Sequence, residues 1–307
     1  MTQPLVTVNI LSFNRRDDLR VTLQKVYEQD YKNIEVIVVD NASSDGTVEM
    51  VKSEFPVVRL IELKTNIGIS GWNEGFKIAK GEFVMVLDDN AYPDVNAIGL
   101  CVEEFLKSTN VNVACIALNI FDLIQNSIWV SNWQSKEKNS NVYFPVFVGC
   151  AAVFDAKKIQ LNNLMPAKYF IYQHELPVSS EIHRNNLRIL FNPRIMAYHT
   201  FTGTWGYSQQ RDILLFKNNL YFILEDLPFW LIIPYALQSI LYFGTRSIKR
   251  GWSFEFIKAF REVMKKFDPK TGMSLQYFFE LRRLHLFNYS LVSKIQFRIS
   301  KLSKRLY

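Results

Sequence analysis

Glu35-Val36-Ile37-Val38-Val39-Asp40-Asn41 and Phe83-Val84-Met85-Val86-Leu87-Asp88-Asp89-Asn90 are continuous apolar runs that end abruptly on carboxylates. Runs of this length, rich in Val and bounded by polar residues, read as strands buried on both faces. Their acids then stand at the carboxyl edge of a sheet, where open α/β folds bind ligands. A carboxylate withdrawn from water needs a cation, a hydrogen-bond donor or residual solvent. A nucleotide ligand with a divalent metal supplies all three.

Working outward from these runs, Leu5 to Leu11 reads as a first strand, followed by a polar turn from Ser12 to Asp18 and then Leu19, Leu23, Val26 and Tyr27 at helical spacing. After the strand Ile34 to Val39, the loop from Asn41 offers Ser44 or Asp45 as a cap for a helix over Thr47 to Phe55. A third strand is expected at Val57 to Leu63, then a loop from Asn66 to Gly75, a helix through Ala79, and the strand Phe83 to Leu87. This alternation predicts the α/β class: a mainly parallel, doubly wound sheet with helices on both faces. Beyond Pro93 the pattern predicts a helix near Val95 to Leu106 and a strand near Val113 to Asn119, then a polar loop from Asn132 to Asn141. Phe147 to Phe154 reads as a buried strand in which Gly149 leaves room for close approach of a ligand, Tyr169 to Leu187 as partly helical, and Leu190 to His199 as extended.

A length of 307 residues allows one large domain or two ordinary ones, and a hydrophobic content of 49% is ample for a packed core. Cys101, Cys115 and Cys150 are an odd number without a CxxC pair, so they read as buried free thiols of a reducing compartment. Arg15, Arg16, Asp17 and Asp18 follow the first apolar run too closely for a signal peptide, and the expectation is cytoplasmic residence. The net charge of +7 is unevenly placed: Thr245 to Tyr307 carries 15 Lys and Arg against 4 Asp and Glu, which leaves the rest of the chain net acidic. An acidic body joined to a basic end argues against a nucleic-acid binder.

Four pieces in fixed order resemble the inverting glycosyltransferases of family 2, which have the GT-A fold. They are Val8-Asn9-Ile10-Leu11-Ser12-Phe13-Asn14-Arg15, then Val38-Val39-Asp40-Asn41-Ala42-Ser43-Ser44-Asp45-Gly46-Thr47, then Asn66-Ile67-Gly68 with Gly71 and Asn73, then Leu87-Asp88-Asp89-Asn90-Ala91-Tyr92-Pro93. A more divergent resemblance runs through Gly149, Tyr172-Gln173-His174-Glu175, Asn192-Pro193 and His199 to Lys217-Asn218-Asn219. It covers roughly residues 1–225, the expected catalytic domain, and the hydrophobic then basic end resembles tails of the rhamnosyltransferase-like branch.

The resemblance implies that Ser12, Asn14, Arg15, Asp40, Asn66, Gly68, Asn73, Asp88 and Asp89 bind a nucleotide-diphosphate-sugar donor, with Asp40 on its base. For Asp40 alone, capping of the following loop is the plain alternative. Asp88 and Asn90 fall at the ends of the family's DxD-like element and with His199 are the implied ligands of Mg2+ or Mn2+, ions that favour hard oxygen donors. Asn90 replaces an acid there, which removes a charge that Asp89 is placed to restore; an Asp-rich turn is the structural alternative for 88–90. By resemblance Glu175 is the general base that takes a proton from the acceptor hydroxyl, against the alternative of a solvated helix-end acid. His174, Pro177 and Glu181 depart from the family's pattern around it. A lone His at a strand end is otherwise a structural histidine, and Lys217 and Arg211 read equally as phosphate contacts or solvated helix charges.

Residues 226–307 read as a hydrophobic and basic helical region. Leu227 to Thr245 has no charged residue, yet Pro228 and Pro234 weaken a spanning helix, and a crossing would separate the basic end from the catalytic body. Trp252, Phe256, Phe260, Val263 and Phe267 form an apolar helical stripe beside Lys258, Arg261, Lys265 and Lys266. Leu284, Phe287, Leu291, Ile295 and Ile299 form another beside Arg282, Arg283, Lys294, Arg298 and Lys301. The two stripes read as in-plane helices on an anionic membrane surface, or as faces that pack on protein, including a second subunit.

The expectation is therefore a transferase, peripheral at the inner face of the cell membrane, that moves a sugar with inversion onto a glycan or lipid-linked acceptor in cell-surface polysaccharide synthesis. The rival reading is an inactive relative that binds nucleotide sugar or organises a glycan-assembly complex. A nucleotidyltransferase is disfavoured by the lack of an early GxGxR-type phosphate loop.

Overall fold

The computed structural model describes residues 3–107, 112–128, 142–200, 208–268, 270 and 272–283. The expected loop over Asn132 to Asn141 and the stripe from Leu284 to Ile299 lie outside the described residues. The chain forms two compact units, Met1–Trp205 and Gly206–Tyr307.

The first unit is built on one sheet of ten strands among the described residues. These are β1 (Val6–Ser12), β2 (Ile34–Asp40), β3 (Arg59–Glu62), β4 (Phe83–Asp88), β5 (Ala91–Pro93), β6 (Val113–Asp122), β7 (Ser127–Ile128), β8 (Val142–Phe144), β9 (Ala151–Asp155) and β10 (Arg188–His199). Their order is β3-β2-β1-β4-β9-β6-β10-β5, with β7 paired to β6 and β8 to β10.

The expected parallel, helix-linked arrangement holds from β3 to β4. Beyond β4 the sheet becomes mixed, because β9 runs antiparallel to both β4 and β6, and β5 and β8 run antiparallel to β10. Ala151–Asp155 is buried throughout, as the parallel strands of the sheet largely are, so its sequence carries no mark of direction. The apolar run expected as a strand from Phe147 enters the sheet only at Ala151, and Asp88 N–H bonds to the Cys150 carbonyl at the margin of that pairing.

Alternation of side chains divides the core between the two faces. Val6, Val8, Ile10, Val36, Val38, Met85 and Leu87 share a cluster with Leu19, Leu23 and Val26 of α1 (Arg16–Tyr27), Met50 and Val51 of α2 (Thr47–Glu54), and Ile98, Val102 and Phe105 of α4 (Ala97–Leu106). Val84, Val86 and Phe154 lie in a second cluster with Trp72 and Phe76 of α3 (Trp72–Ile78) and Val178 and Ile182 of α5 (Glu175–Arg184). Gly75 lets α3 press against β1: a Cβ there would lie 2.1 Å from Asn9 Oδ1, while Asn9 Nδ2 donates to the Trp72 carbonyl at 2.9 Å. All three cysteines are free and buried, and burial pushes their thiol pKa values up.

The second unit comprises α6 (Gln209–Asp226), α7 (Phe229–Arg250), α8 (Ser253–Lys266) and α9 (Leu275–Arg283). Ser208 caps α6, its Oγ accepting from Arg211 N–H at 3.0 Å. Phe216 of α6 packs against Phe243 of α7 and Phe256 of α8, and Asp212 pairs with Arg246. Lys217 pairs with Glu262 at 2.8 Å. Trp252 and Val263 are buried and Phe256 lies on Phe216, so of the two readings of the α8 stripe, membrane contact or packing on protein, these residues follow the second and face the interior of this unit. Among the described residues no helix is long and apolar enough to cross a membrane.

His183 of α5 illustrates what burial does to a titratable group. Burial, reinforced by the Arg188 charge and opposed by the Pro145 and Phe144 carbonyls, lowers its imidazole pKa to about 4. The unfolded chain binds a proton near 6.5 and the folded chain only near 4, so stability is lost as pH falls through that window. His183→Gln is expected to remove this loss. Denaturant titrations across the window should show a stability slope shallower than the parent's by up to about 1.4 kcal/mol per pH unit.

Candidate active site

Parallel pairing of β1 with β2 and β4 sets Ser12 opposite Asp40 and Leu11 opposite Asp88. The two acidic tips therefore share one edge of the sheet, with β1 between them and their Cα atoms about 10 Å apart at ordinary strand spacing. Asp40 is 2% exposed; its Oδ2 accepts from Ser43 N–H at 3.0 Å, and its buried Oδ1 has no hydrogen-bond partner among the described residues. An orphaned buried carboxylate oxygen is costly unless a donor arrives from outside. Beside it opens a cleft of about 410 Å³ lined by residues that include Asp40, Ala42, Ser43, Ser44, Glu62 and Lys64.

The loops around the cleft hold one another. Asn14, in the left-handed region at φ 52°, accepts from Ser44 N–H at 2.8 Å through Oδ1, and its own N–H donates to Ser43 Oγ at 2.9 Å. Asn66 Oδ1 accepts from Gly68 N–H at 2.8 Å. Gly68 has φ 65°, and a Cβ there would lie 2.0 Å from the Phe170 carbonyl oxygen. Asn73 is buried, its amide donating to the Met165 carbonyl at 2.8 Å and accepting from Met165 N–H at 3.0 Å. Of the residues implied as donor ligands, Asn66, Gly68 and Asn73 thus make loop-shaping contacts, while Asp40 lines the cleft.

At the tip of β4 successive side chains diverge. Asp89 turns toward the loop after β1: its Oδ2 accepts from Ser12 Oγ at 3.1 Å and Phe13 N–H at 3.0 Å, and Oδ1 lies 3.6 Å from Arg15 Nε. Burial raises its pKa to about 7, against the lowering effect of those donors. Asp88 instead faces His199, with Oδ2 3.9 Å from Nε2. Burial raises the Asp88 pKa, opposed by His199 and His174, while burial lowers that of His199, opposed by Asp88 and Asp122. Asn90 Nδ2 donates to the Thr200 carbonyl at 2.7 Å, and the Asn90 main-chain carbonyl accepts from Thr200 N–H at 2.9 Å.

Among the described residues no group of three or more His, Cys, Asp or Glu gathers as a complete metal cage. The facing pair Asp88 and His199 still fits a divalent ion that takes its other ligands from phosphate and water, as Mg2+ commonly does. Asn90 brings at most its amide oxygen, because the amide nitrogen is bonded to Thr200.

Glu175 is the first residue of α5, where the helix dipole favours a carboxylate. Its Oε1 accepts from Gly149 N–H at 3.2 Å and its Oε2 lies 3.7 Å from His174 Nδ1. The chain reaches it through Phe170, Tyr172 and Gln173 at φ 32°, 71° and 57°, a left-handed run that non-glycine residues seldom adopt. Ile69 N–H bonds to the Phe170 carbonyl at 2.7 Å, which ties this approach to the turn at Gly68–Gly71. His174 is buried against the Trp72 ring, and neither ring nitrogen has a hydrogen-bond partner among the described residues. The space at Gly149, expected to admit a ligand, is filled by the chain's own His174 and Glu175, a pairing that strand and helix patterns do not reveal.

The mixed sheet, with its acids gathered at one edge and helices on both faces, is a fold of the GT-A kind. Residues 7–159 match the family described as Glycosyl transferase family 2, and the chain belongs to that family: it is a glycosyltransferase. It is 22% identical, over 78% of its length and 82% of the relative's, to the dolichyl N-acetyl-alpha-D-glucosaminyl phosphate 3-beta-D-2,3-diacetamido-2,3-dideoxy-beta-D-glucuronosyltransferase of Methanococcus voltae. It is 35% identical, over 29% of its length and 36% of the relative's, to the UDP-Glc:alpha-D-GlcNAc-diphosphoundecaprenol beta-1,3-glucosyltransferase of Escherichia coli. The chain spans only 12% of the chondroitin and hyaluronan synthases of Pasteurella multocida that it also matches. In fold it is similar to the mannosyltransferase PcManGT of Pyrobaculum calidifontis, solved with GDP-Man and Mn2+, at a TM-score of 0.58 and 18% identity over 96% of this chain and 83% of that one.

Gly149 offers a local test of the site. A Cβ there would fall 2.6 Å from His174 Nε2 and 2.8 Å from Glu175 Oε1, both on side chains able to shift. Gly149→Ala is expected to fold and to bind donor as the parent does, while displacement of the carboxylate lowers kcat on the order of 10²-fold. Steady-state kinetics beside donor titration checks this.

Proposed function

We propose that this glycosyltransferase moves one glycosyl unit, with inversion, from a nucleotide-diphosphate-sugar to a glycan or lipid-linked acceptor in cell-surface polysaccharide synthesis, at the inner face of the cell membrane. The observation that carries the reading is the shared edge on which Asp40 keeps a buried, unpartnered oxygen and Asp88 faces His199. The donor's base occupies the cleft, where a ring N–H satisfies Asp40 Oδ1. Asp88 and His199 would hold the divalent ion, which when bound offsets the charge of the leaving diphosphate. Arg15 and Asp89 keep the loop after β1 in place beside it.

Glu175 supplies the base. A carboxylate oxygen of Glu175 takes the proton of the acceptor hydroxyl as the acceptor's oxygen attacks the anomeric carbon from the face opposite the diphosphate, which departs with the electron pair of the bond to the anomeric carbon. The Gly149 N–H holds Oε1 and so leaves Oε2 for the proton. Support for a lipid-linked or polymeric acceptor comes from the Escherichia coli relative, whose acceptor is a diphosphoundecaprenol-linked sugar, and from a poly-beta-1,6-N-acetyl-D-glucosamine synthase of Staphylococcus epidermidis.

A panel of UDP-, dTDP- and GDP-sugars, assayed with and without Mn2+, tests nucleotide, sugar and metal together. Glu175→Gln is expected to lower kcat by about 10² to 10⁴-fold with donor affinity retained. Unaltered turnover removes Glu175 from the mechanism. Chelation, or Asp88→Asn with His199→Ala, is expected to suppress donor binding, and full activity in chelator excludes the metal role. Binding of donor without turnover of any sugar favours the non-catalytic, scaffold reading.

A further inference from the structure

Among the described residues, α7 carries an apolar line on its exposed side. Trp230, Ile233, Leu237, Leu241 and Ile248 recur at spacings of three, four and seven residues and so lie along one side of the helix, with Phe229 beside them at its start. These six side chains are 53% to 76% exposed. Single exposed apolar residues are ordinary, but a line about 30 Å long, broken only at the exposed Thr245, is not. The residues α7 turns inward are others: Ser239, Phe243 and Ser247 are buried, with Phe243 on Phe216.

The chemistry around the line is one-sided. Phe229–Arg250 contains no acidic residue and ends on the exposed Lys249 and Arg250. The outer face of α8 mixes exposed Phe254, Ile257 and Met264 with exposed Lys258, Arg261 and Lys265. An apolar stripe with an aromatic pair at one end and cations at the other matches the apolar depth and anionic headgroups of a bilayer surface. A water-soluble partner would need an apolar face of the same length rimmed with acids.

We infer that the outer face of α7, from Phe229 to Ile248, is the surface by which this protein lies on an anionic membrane, with the exposed cations of α7 and α8 at headgroup level. The inference deepens the membrane location proposed above by naming the contact. It also moves the contact away from the Trp252, Phe256 and Val263 stripe, which is turned inward. The helix lies in the plane of the interface and does not cross it.

The test uses the full chain and vesicles of phosphatidylcholine with or without phosphatidylglycerol. The parent is expected to sediment with the phosphatidylglycerol vesicles and weakly or not at all with the others. Ile233→Asp with Leu241→Asp is expected to weaken that binding roughly tenfold or more, with Tm and oligomeric state unchanged, because both positions face outward. Lys258→Glu with Lys265→Glu is expected to abolish the preference for phosphatidylglycerol.

Binding that survives the aspartate pair overturns the inference. So does a parent dimer that the aspartate pair dissociates without loss of lipid binding, which would assign the line to a second copy. A large fall in Tm in the aspartate pair, with no vesicle binding by the parent, would assign it to cover by the chain itself. Donor turnover measured on the same preparations keeps the two readings apart, since none of these positions belongs to the catalytic machinery.

Discussion

β1 pairs in parallel with β2 on one side and β4 on the other, and the site depends on that double pairing. Parallel strands end on the same side, so Asp40 and Asp88 reach one edge although their sequence positions lie far apart. The two-residue period of a strand then divides labour at the tip of β4. Asp88 turns to His199, and Asp89 turns back to Ser12 and Phe13. A slip of one residue would exchange the two carboxylates, and burial of Val84, Met85, Val86 and Leu87 on both faces opposes that slip.

The acid assigned to proton transfer is positioned by different means. Glu175 stands at a helix start rather than a strand end, and the chain arrives there through three residues in the left-handed region. Each such residue costs on the order of 1–3 kcal/mol and persists only where its surroundings enforce it. Here the Ile69 bond to Phe170 and the absence of a side chain at Gly68 and Gly149 supply that enforcement. The turn at Gly68–Gly71 and the approach to Glu175 are thereby joined through a backbone contact.

In the second unit two helices are each apolar on more than one side. α8 turns Trp252 and Val263 inward and still presents Phe254 and Ile257 outward; α7 buries Phe243 and presents Ile233 and Leu241. The ion pairs Asp212 with Arg246 and Lys217 with Glu262 occupy charges of this unit in holding α6 to α7 and α8.

The run from Val36 to Asp40 and the run from Phe83 to Asp88 were legible as strands from residue type alone, because local burial patterns encode them directly. The α/β class, the helices on both faces and the family followed from those runs and the motifs between them. Three things required the folded chain. The direction of β9 was hidden because a strand buried on both faces reads the same either way. The use of Asn73 on Met165 and of Asn90 on Thr200 was hidden because an amide's partner across 92 or 110 positions is chosen by tertiary approach. Which apolar stripe of the helical end turns inward was hidden as well. A sequence records that a face is apolar, but only packing against Phe216 decided that the stripe of Trp252 and Val263 is interior and that Ile233 and Leu241 remain outside.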